Sequence, residues 1–321
     1  MGQLPEFETY IHEGIARYGL NFGGSRLSNV RFDVFEQAEA FLATLGKAEA
    51  ALTVSSGTIA GQLVAKYAEN IGTLHYAPES HPAVRSIIGK TYTSREAWIE
   101  ALVHSSHQVG PPLIAFSDAI DSLRVRLFDF SWTSNLGTAR KVILVVDDSH
   151  VWGLTGVDGG GTYSLVNLPE KVELIVVSSL GKAYGIPAGV ILGQQQTIQE
   201  LWQSPFFGGA SPSILAFLYA MIQSEHLYQR QRKRLFEQIR IFQQAVSSLE
   251  LFDHHPDYPV FYAAAPTIAD YLEAHKVLIS SFPYPTPSSP LVNRIVINAL
   301  HTREDIDQLA TLVRQFSLQN T

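Results

Sequence analysis

The 321-residue chain is 46% hydrophobic and 17% charged, enough apolar material for a sizeable core and too much for global disorder. Its net charge of −7 argues against a polyanionic partner such as nucleic acid or an anionic membrane surface. The absence of cysteine excludes a disulfide framework, a thiolate zinc site, an iron–sulfur cluster and a cysteine nucleophile.

Met1 to Glu6 shows no basic segment leading into an apolar stretch, so no signal peptide is expected. No apolar run approaches the ~20 residues of a membrane helix. A soluble, cytoplasmic protein follows as the expectation. Length and pattern suggest an N-terminal segment (1–22), a large domain (23–225) and a smaller C-terminal domain (226–321).

In chain order, Asp33 to Leu45 is predicted as an amphipathic helix with Phe35, Ala38, Phe41, Leu42 and Leu45 on one face. Ala50 to Val54 is a short strand, followed by Ser55-Ser56-Gly57-Thr58 and a helix from Ile59 to Ala68. The run Val142 to Val146 is β-branched and apolar on both faces, which suits a strand buried in a mostly parallel sheet. It ends at Asp147-Asp148-Ser149-His150. Leu174 to Val177 ends at Ser178-Ser179-Leu180-Gly181-Lys182, and Ala188 to Leu192 follows closely. The run Gly159-Gly160-Gly161 reads as a flexible turn. Ser213 to Leu249 reads as one long helix whose basic part, Arg230 to Arg240, is a solvated face. His254-His255 reads as surface, and Phe282 to Pro287 as a stiff turn. A strand over Arg294–Asn298 and a helix from Arg303 close the chain.

Polar residues at the carboxyl ends of buried strands are where open α/β sheets place ligands. If the lysine at position 182 is buried, it must be paired, deprotonated or covalently used, and a desolvated amine suits Schiff-base chemistry on a carbonyl. Asp147 could hold a pyridine nitrogen protonated, and His150 could reach the same ring. The turn Ser55 to Thr58 could cradle a phosphate with free N–H groups at a helix start. Together these describe pyridoxal 5′-phosphate. Taken singly, each has an ordinary alternative: an exposed strand-end lysine, a capping cluster, a helix cap. No second His/carboxylate cluster has ligand spacing, so no metal is expected.

From Gly23-Gly24-Ser25-Arg26-Leu27 to about Leu312 the sequence resembles the α-oxoamine synthases, fold-type-I pyridoxal-phosphate enzymes. The main matches are Val146 to Gly153, Ser179 to Gly185 and Arg294 to Thr302, where an arginine stands seven residues before a histidine. The resemblance implies an α/β fold with a large, mostly parallel sheet domain and a smaller α/β domain. It implies that Lys182 carries the cofactor as a Schiff base, that Asp147 pairs with the ring nitrogen, and that His150 bonds the ring hydroxyl. His81 would stack on the ring and Ser117 would lie near it. Ser179, Gly57 and Thr58 would hold the cofactor and its phosphate, and Gly209 and Ala210 would reach the phosphate of a neighbouring subunit. Arg294 would clamp the substrate carboxylate.

The implied reaction condenses an amino acid with an acyl-CoA, with decarboxylation, in a homodimer. An aminotransferase or lyase on a small amino acid is the alternative, and a non-enzymatic binding protein a third reading. The chain departs from the family at Asp118-Ala119-Ile120, where Met-Asp-Gly is usual, at Thr58, where an aromatic residue is common, and in a short N-terminus. These departures bear on acyl-CoA recognition more than on cofactor chemistry.

Overall fold

The computed structural model describes residues 1–284 and 286–319. From the N-terminus, helices α1 (Pro5–Tyr18) and α2 (Asp33–Gly46) precede strand β1 (Ala50–Val54) and helix α3 (Gly57–Glu69). Strands β2 (Thr73–Tyr76) and β3 (Lys90–Thr91), helix α4 (Arg95–Ser106) and strand β4 (Leu113–Asp118) follow. A short hairpin, β5 (Ile120–Asp121) and β6 (Arg126–Leu127), precedes β7 (Val142–Asp147), β8 (Val172–Ser179) and β9 (Gly189–Gly193). Then come α5 (Gln195–Trp202), α6 (Pro205–Gly209), α7 (Leu215–Gln223) and α8 (Glu225–Val246). The last elements are β10 (Phe252–His254), β11 (Val260–Ala263), α9 (Ile268–Ala274), β12 (Ser280–Pro283), β13 (Leu291–Val296) and α10 (Arg303–Gln319).

The chain divides into two compact units, one of residues 1–119 and 128–228, the other of residues 120–127 and 229–321. The first is built on a seven-stranded sheet in the order β1-β9-β8-β7-β4-β2-β3. Only β9 runs antiparallel to its neighbours in this sheet. Every residue of β1, β7 and β9 is buried, as expected of strands covered by helices on both faces. Residues 1–22 belong to this unit: α1 packs along α7 so closely that a Cβ on Gly14 would meet the Ala216 carbonyl oxygen at 2.7 Å. The second unit contains the antiparallel sheet β10-β11-β13-β12 and the β5–β6 hairpin.

Several expectations are corrected. The single helix over Ser213–Leu249 is two helices, because Ser224 leaves helical geometry between α7 and α8. Phe282 and Pro283 are strand residues of β12, and Pro285 of the expected turn lies outside the described residues. The glycine run 159–161 is buried. Gly159 and Gly161 have φ of 88° and 67°, values that suit glycine. They wrap the chain around Asp148, which accepts 2.7 Å and 2.5 Å bonds from the Thr162 N–H and Oγ1. His254 is half-buried against Phe261, with ring centroids 5.2 Å apart.

Candidate active site

The parallel strands β4 and β7 end in register and β8 runs two residues further, so chain register sets the site. Asp118 and Asp147 are direct register partners at the ends of β4 and β7, and Asp147 is paired with Val177 of β8. Asp147 is 9% exposed, and its Oδ1 accepts a 2.9 Å bond from the Ser149 N–H. Ser149 Oγ in turn accepts the Ser179 N–H at 2.9 Å, tying the end of β7 to the end of β8. His150 is half-buried one residue further on.

Beyond Ser179 the chain turns through 180–186, closed by bonds from Leu180 N to Ala188 O (2.9 Å) and from Ile186 N to Leu180 O (3.1 Å). Tyr184 anchors this turn, stacked on Tyr228 with centroids 4.1 Å apart. Lys182 lies at its outer side and is exposed in this chain. Burial of Lys182, the condition on which its desolvation would rest, is not met within this chain: the residue stands three positions past the end of β8 and is exposed. The Ser179 Oγ accepts the Gly181 N–H at 3.2 Å, which shapes the approach to the lysine.

The turn after β1 comes to the same edge. Ser56 caps α3, its Oγ accepting the Ile59 N–H at 3.2 Å. Gly57 is half-buried and Thr58 exposed at the first positions of the helix. A Cβ on Gly57 would meet the Ser179 Cα at 2.8 Å, and one on Gly189 would meet the Ser56 carbonyl oxygen at 2.2 Å. Two glycines thus let the helix start sit against β8 and β9. From behind, Arg26 pairs with Glu39 at 2.6 Å and donates to the Thr53 carbonyl at 3.2 Å. Thr53 N and Oγ1 both donate to the same Glu39 oxygen, at 2.7 and 2.9 Å.

His81 is exposed, and its backbone N–H donates to Asp118 Oδ1 at 2.9 Å while its Nδ1 accepts from Ala83 N. Ser117 is fully buried. Its hydroxyl accepts a 3.1 Å bond from Arg95 Nη1 and donates to the Asp118 carbonyl at 2.8 Å. Arg95 is packed over the Phe128 ring, 3.6 Å from its centroid. Burial pulls the Arg95 guanidinium down, against the pull of Glu79 and Asp118. Gly208 to Ala210 close α6, where Ser25 Oγ donates to the Gly208 carbonyl at 2.7 Å, and Gly209 is exposed.

Arg294 lies on β13 in the second unit. Its Nη1 donates to the Ser122 carbonyl at 3.0 Å, its guanidinium sits 5.0 Å from the Phe282 ring centroid, and its Nε is buried without a hydrogen-bond partner. Burial lowers its pKa, opposed by Tyr258.

Asp118 was not foreseen as a site residue, although an acid closing the buried run Leu113 to Ser117 is the signal that drew attention to Asp147. Burial, then the Asp147 carboxylate, push its carboxyl up to about 8, against the His81 bond and Lys182. Among the described residues, no group of three or more His, Cys, Asp or Glu could hold a metal ion. No described helix is long and apolar enough to cross a membrane.

The comparisons with known proteins give the family and the fold. The profile of the aminotransferase class I and II family matches residues 134–313, more than half of the chain, and the chain belongs to that family. It is 25% identical to the 8-amino-7-oxononanoate synthase of Lysinibacillus sphaericus over 94% of this chain and 82% of that protein. The fold is shared with the 8-amino-7-oxononanoate synthase of Francisella tularensis, at TM-score 0.76 and 18% identity, covering 99% of this chain and 95% of that one. It is shared also with the serine palmitoyltransferase of Sphingomonas wittichii, at TM-score 0.81 and 15% identity, covering 98% and 83%.

Proposed function

We propose that this chain is a pyridoxal-phosphate-dependent transferase that condenses an amino acid with an acyl thioester, releasing carbon dioxide and free CoA. The observation that carries the reading is the shared edge in the first unit: the buried Asp147 at the end of β7, Lys182 past β8, and the glycine-lined start of α3 against Ser179. Similarity to two named condensing enzymes, 8-amino-7-oxononanoate synthase and serine palmitoyltransferase, supports it over simple transamination.

The residues fit the cofactor. At the start of α3 the N–H groups of Gly57 and Thr58 precede the first intrahelical donor and so could bind a phosphate, and the absent side chain at Gly57 lets this helix start close on Ser179. Asp147, held by Ser149, would keep a ring nitrogen protonated. His150 would bond the ring hydroxyl, His81 would lie over the ring, and Ser117 and Ser179 would shape its surroundings. Bound there, pyridoxal phosphate supplies an electron sink for the pair left when a bond at the substrate α-carbon breaks. Lys182 would hold the aldehyde carbon through Nζ and, once displaced by substrate, take the α-proton on the same nitrogen. Arg294 would bind the substrate carboxylate through its planar fork. Gly209 and Ala210 are assigned to the phosphate of a second subunit in a homodimer.

Incubating the purified protein with candidate amino acids and acyl-CoAs tests the reading. Free CoA appearing only with both substrates supports it. Keto acid formed from an amino donor without free CoA would point instead to transamination, and no turnover with no cofactor uptake to a binding protein.

A further inference from the structure

We propose that Arg85 is a positioning residue for His81: its guanidinium gathers the carbonyls of the loop that carries the histidine and so fixes the place and orientation of the imidazole. The inference deepens the proposed function and rests on His81 as the residue over the cofactor ring.

His81 and Arg85 both lie in the loop between β2 and β3. Arg85 Nε donates to the Ser80 carbonyl at 2.9 Å, and its Nη2 donates to the carbonyls of Pro78 and Ala77 at 2.8 and 3.4 Å. Three carbonyl oxygens thus converge on one cation, an arrangement that their mutual repulsion opposes once the cation is gone. Ala77 and Ser80 are buried, so their carbonyls cannot turn to water where they stand. Without the guanidinium the loop has to move.

Helix α3 is the second anchor. Gln62 Nε2 donates to the carbonyls of Ala83 and Arg85 at 2.9 and 3.1 Å. Gly61 admits the loop so closely that a Cβ there would meet the Ala83 carbonyl oxygen at 2.4 Å. The first turn of the same helix is the proposed phosphate cradle, so one rigid element sets the separation between that cradle and His81.

Within this frame the imidazole has one orientation. His81 caps the short helical turn Pro82–Val84, its Nδ1 accepting the Ala83 N–H at 3.1 Å. Its own backbone N–H donates to Asp118 Oδ1 at 2.9 Å. A ring nitrogen that accepts a backbone N–H carries no proton, so the neutral imidazole holds its proton on Nε2. Arg85 donates to main-chain carbonyls and acts on the ring through the loop.

Two measurements test this, each on wild type, Arg85→Met, His81→Ala and the double variant. NMR of the full-length protein labelled at the histidine ring nitrogens, without added cofactor, reads the tautomer; the His81 resonances are those missing from His81→Ala. In wild type Nδ1 is expected at the shift of a bare acceptor nitrogen and Nε2 at that of a protonated one. In Arg85→Met the two shifts draw together, as a released ring exchanges tautomers. An absorbance titration with pyridoxal phosphate then reads the coupling. Arg85→Met is expected to weaken binding by roughly threefold or more, and to add nothing in the His81→Ala background. A merely structural role would lower affinity equally in both backgrounds. Gln62→Met, which withdraws only the two bonds from α3, shifts both readouts in the same direction and decides the matter if Arg85→Met does not fold. The proposal is overturned if the His81 shifts are the same in wild type and these variants, or if Arg85→Met weakens cofactor binding as much without His81 as with it. A protein that takes up no cofactor at all would refute the proposed function, and the tautomer measurement would still decide the role of Arg85.

Discussion

Gly57 and Ser179 touch: a Cβ built on the glycine would lie 2.6 Å from the serine Cβ. The contact seats the first turn of α3 on the end of β8, and it joins the turn proposed to hold the phosphate to the segment that leads to Lys182. A side chain at 57 must displace backbone at 179, since the Ser179 Cα and N lie at 2.8 and 2.9 Å from the same point.

Gly57→Ala is therefore expected to weaken pyridoxal-phosphate binding by roughly 5- to 150-fold, as overpacking of this kind costs ~1–3 kcal/mol. An absorbance titration checks it. Unchanged affinity would mean that the turn is not the phosphate cradle.

Asp148 carries a different consequence. Burial lifts its carboxyl to about 7, above the value of 3.8 it has when solvated, against the two bonds from Thr162. The acid is thus harder to ionise in the folded chain. Its contribution to stability is greatest below about 3.8, falls as pH rises toward about 7, and is level above that. Asp148→Asn should flatten the fall in stability across this window by up to ~1.4 kcal/mol per pH unit. Urea unfolding of both proteins at a series of pH values measures it. Parallel pH profiles would contradict the assignment.

Glu173, buried at the start of β8, pairs with Lys141 at 2.5 Å and accepts a bond from Thr197 Oγ1. Glu173→Ala leaves that hydroxyl without its acceptor and is expected to cost ~1–3 kcal/mol of stability. Cofactor affinity should not change, because Glu173 sits at the opposite end of β8 from Ser179. Denaturant unfolding and an absorbance titration separate the two effects.

Arg294→Lys removes the planar fork while keeping the charge. The KM for the amino acid is expected to rise about tenfold or more, with cofactor affinity unchanged. A steady-state comparison checks it; an unaltered KM would reassign the carboxylate partner.

Much of this was legible because buried parallel strands announce themselves: Val142 to Val146 and Leu174 to Val177 are apolar on both faces, and polar residues stop them abruptly. The helix over Asp33–Gly46 and the strand Ala50–Val54 follow from periodicity in the same way. What escaped depends on three dimensions. Ser224 is one serine among helix formers, and its break between α7 and α8 leaves no punctuation in the sequence. The exposure of Lys182 is set by how far its turn extends beyond β8. Asp118 looked like a departure from a family pattern, and only the register of β4 against β7 makes it a neighbour of Asp147. The glycines at 159–161 read as slack, whereas the positive φ values of Gly159 and Gly161 build the loop that encloses Asp148.

Sodium borohydride reduction of the protein loaded with pyridoxal phosphate, followed by peptide mapping, bears most directly on the whole account. A reduced pyridoxyl adduct on the Nζ of Lys182, lost in Lys182→Met, is the predicted result. An adduct on any other lysine, or none at all, would remove the amine around which every role proposed for this site is arranged.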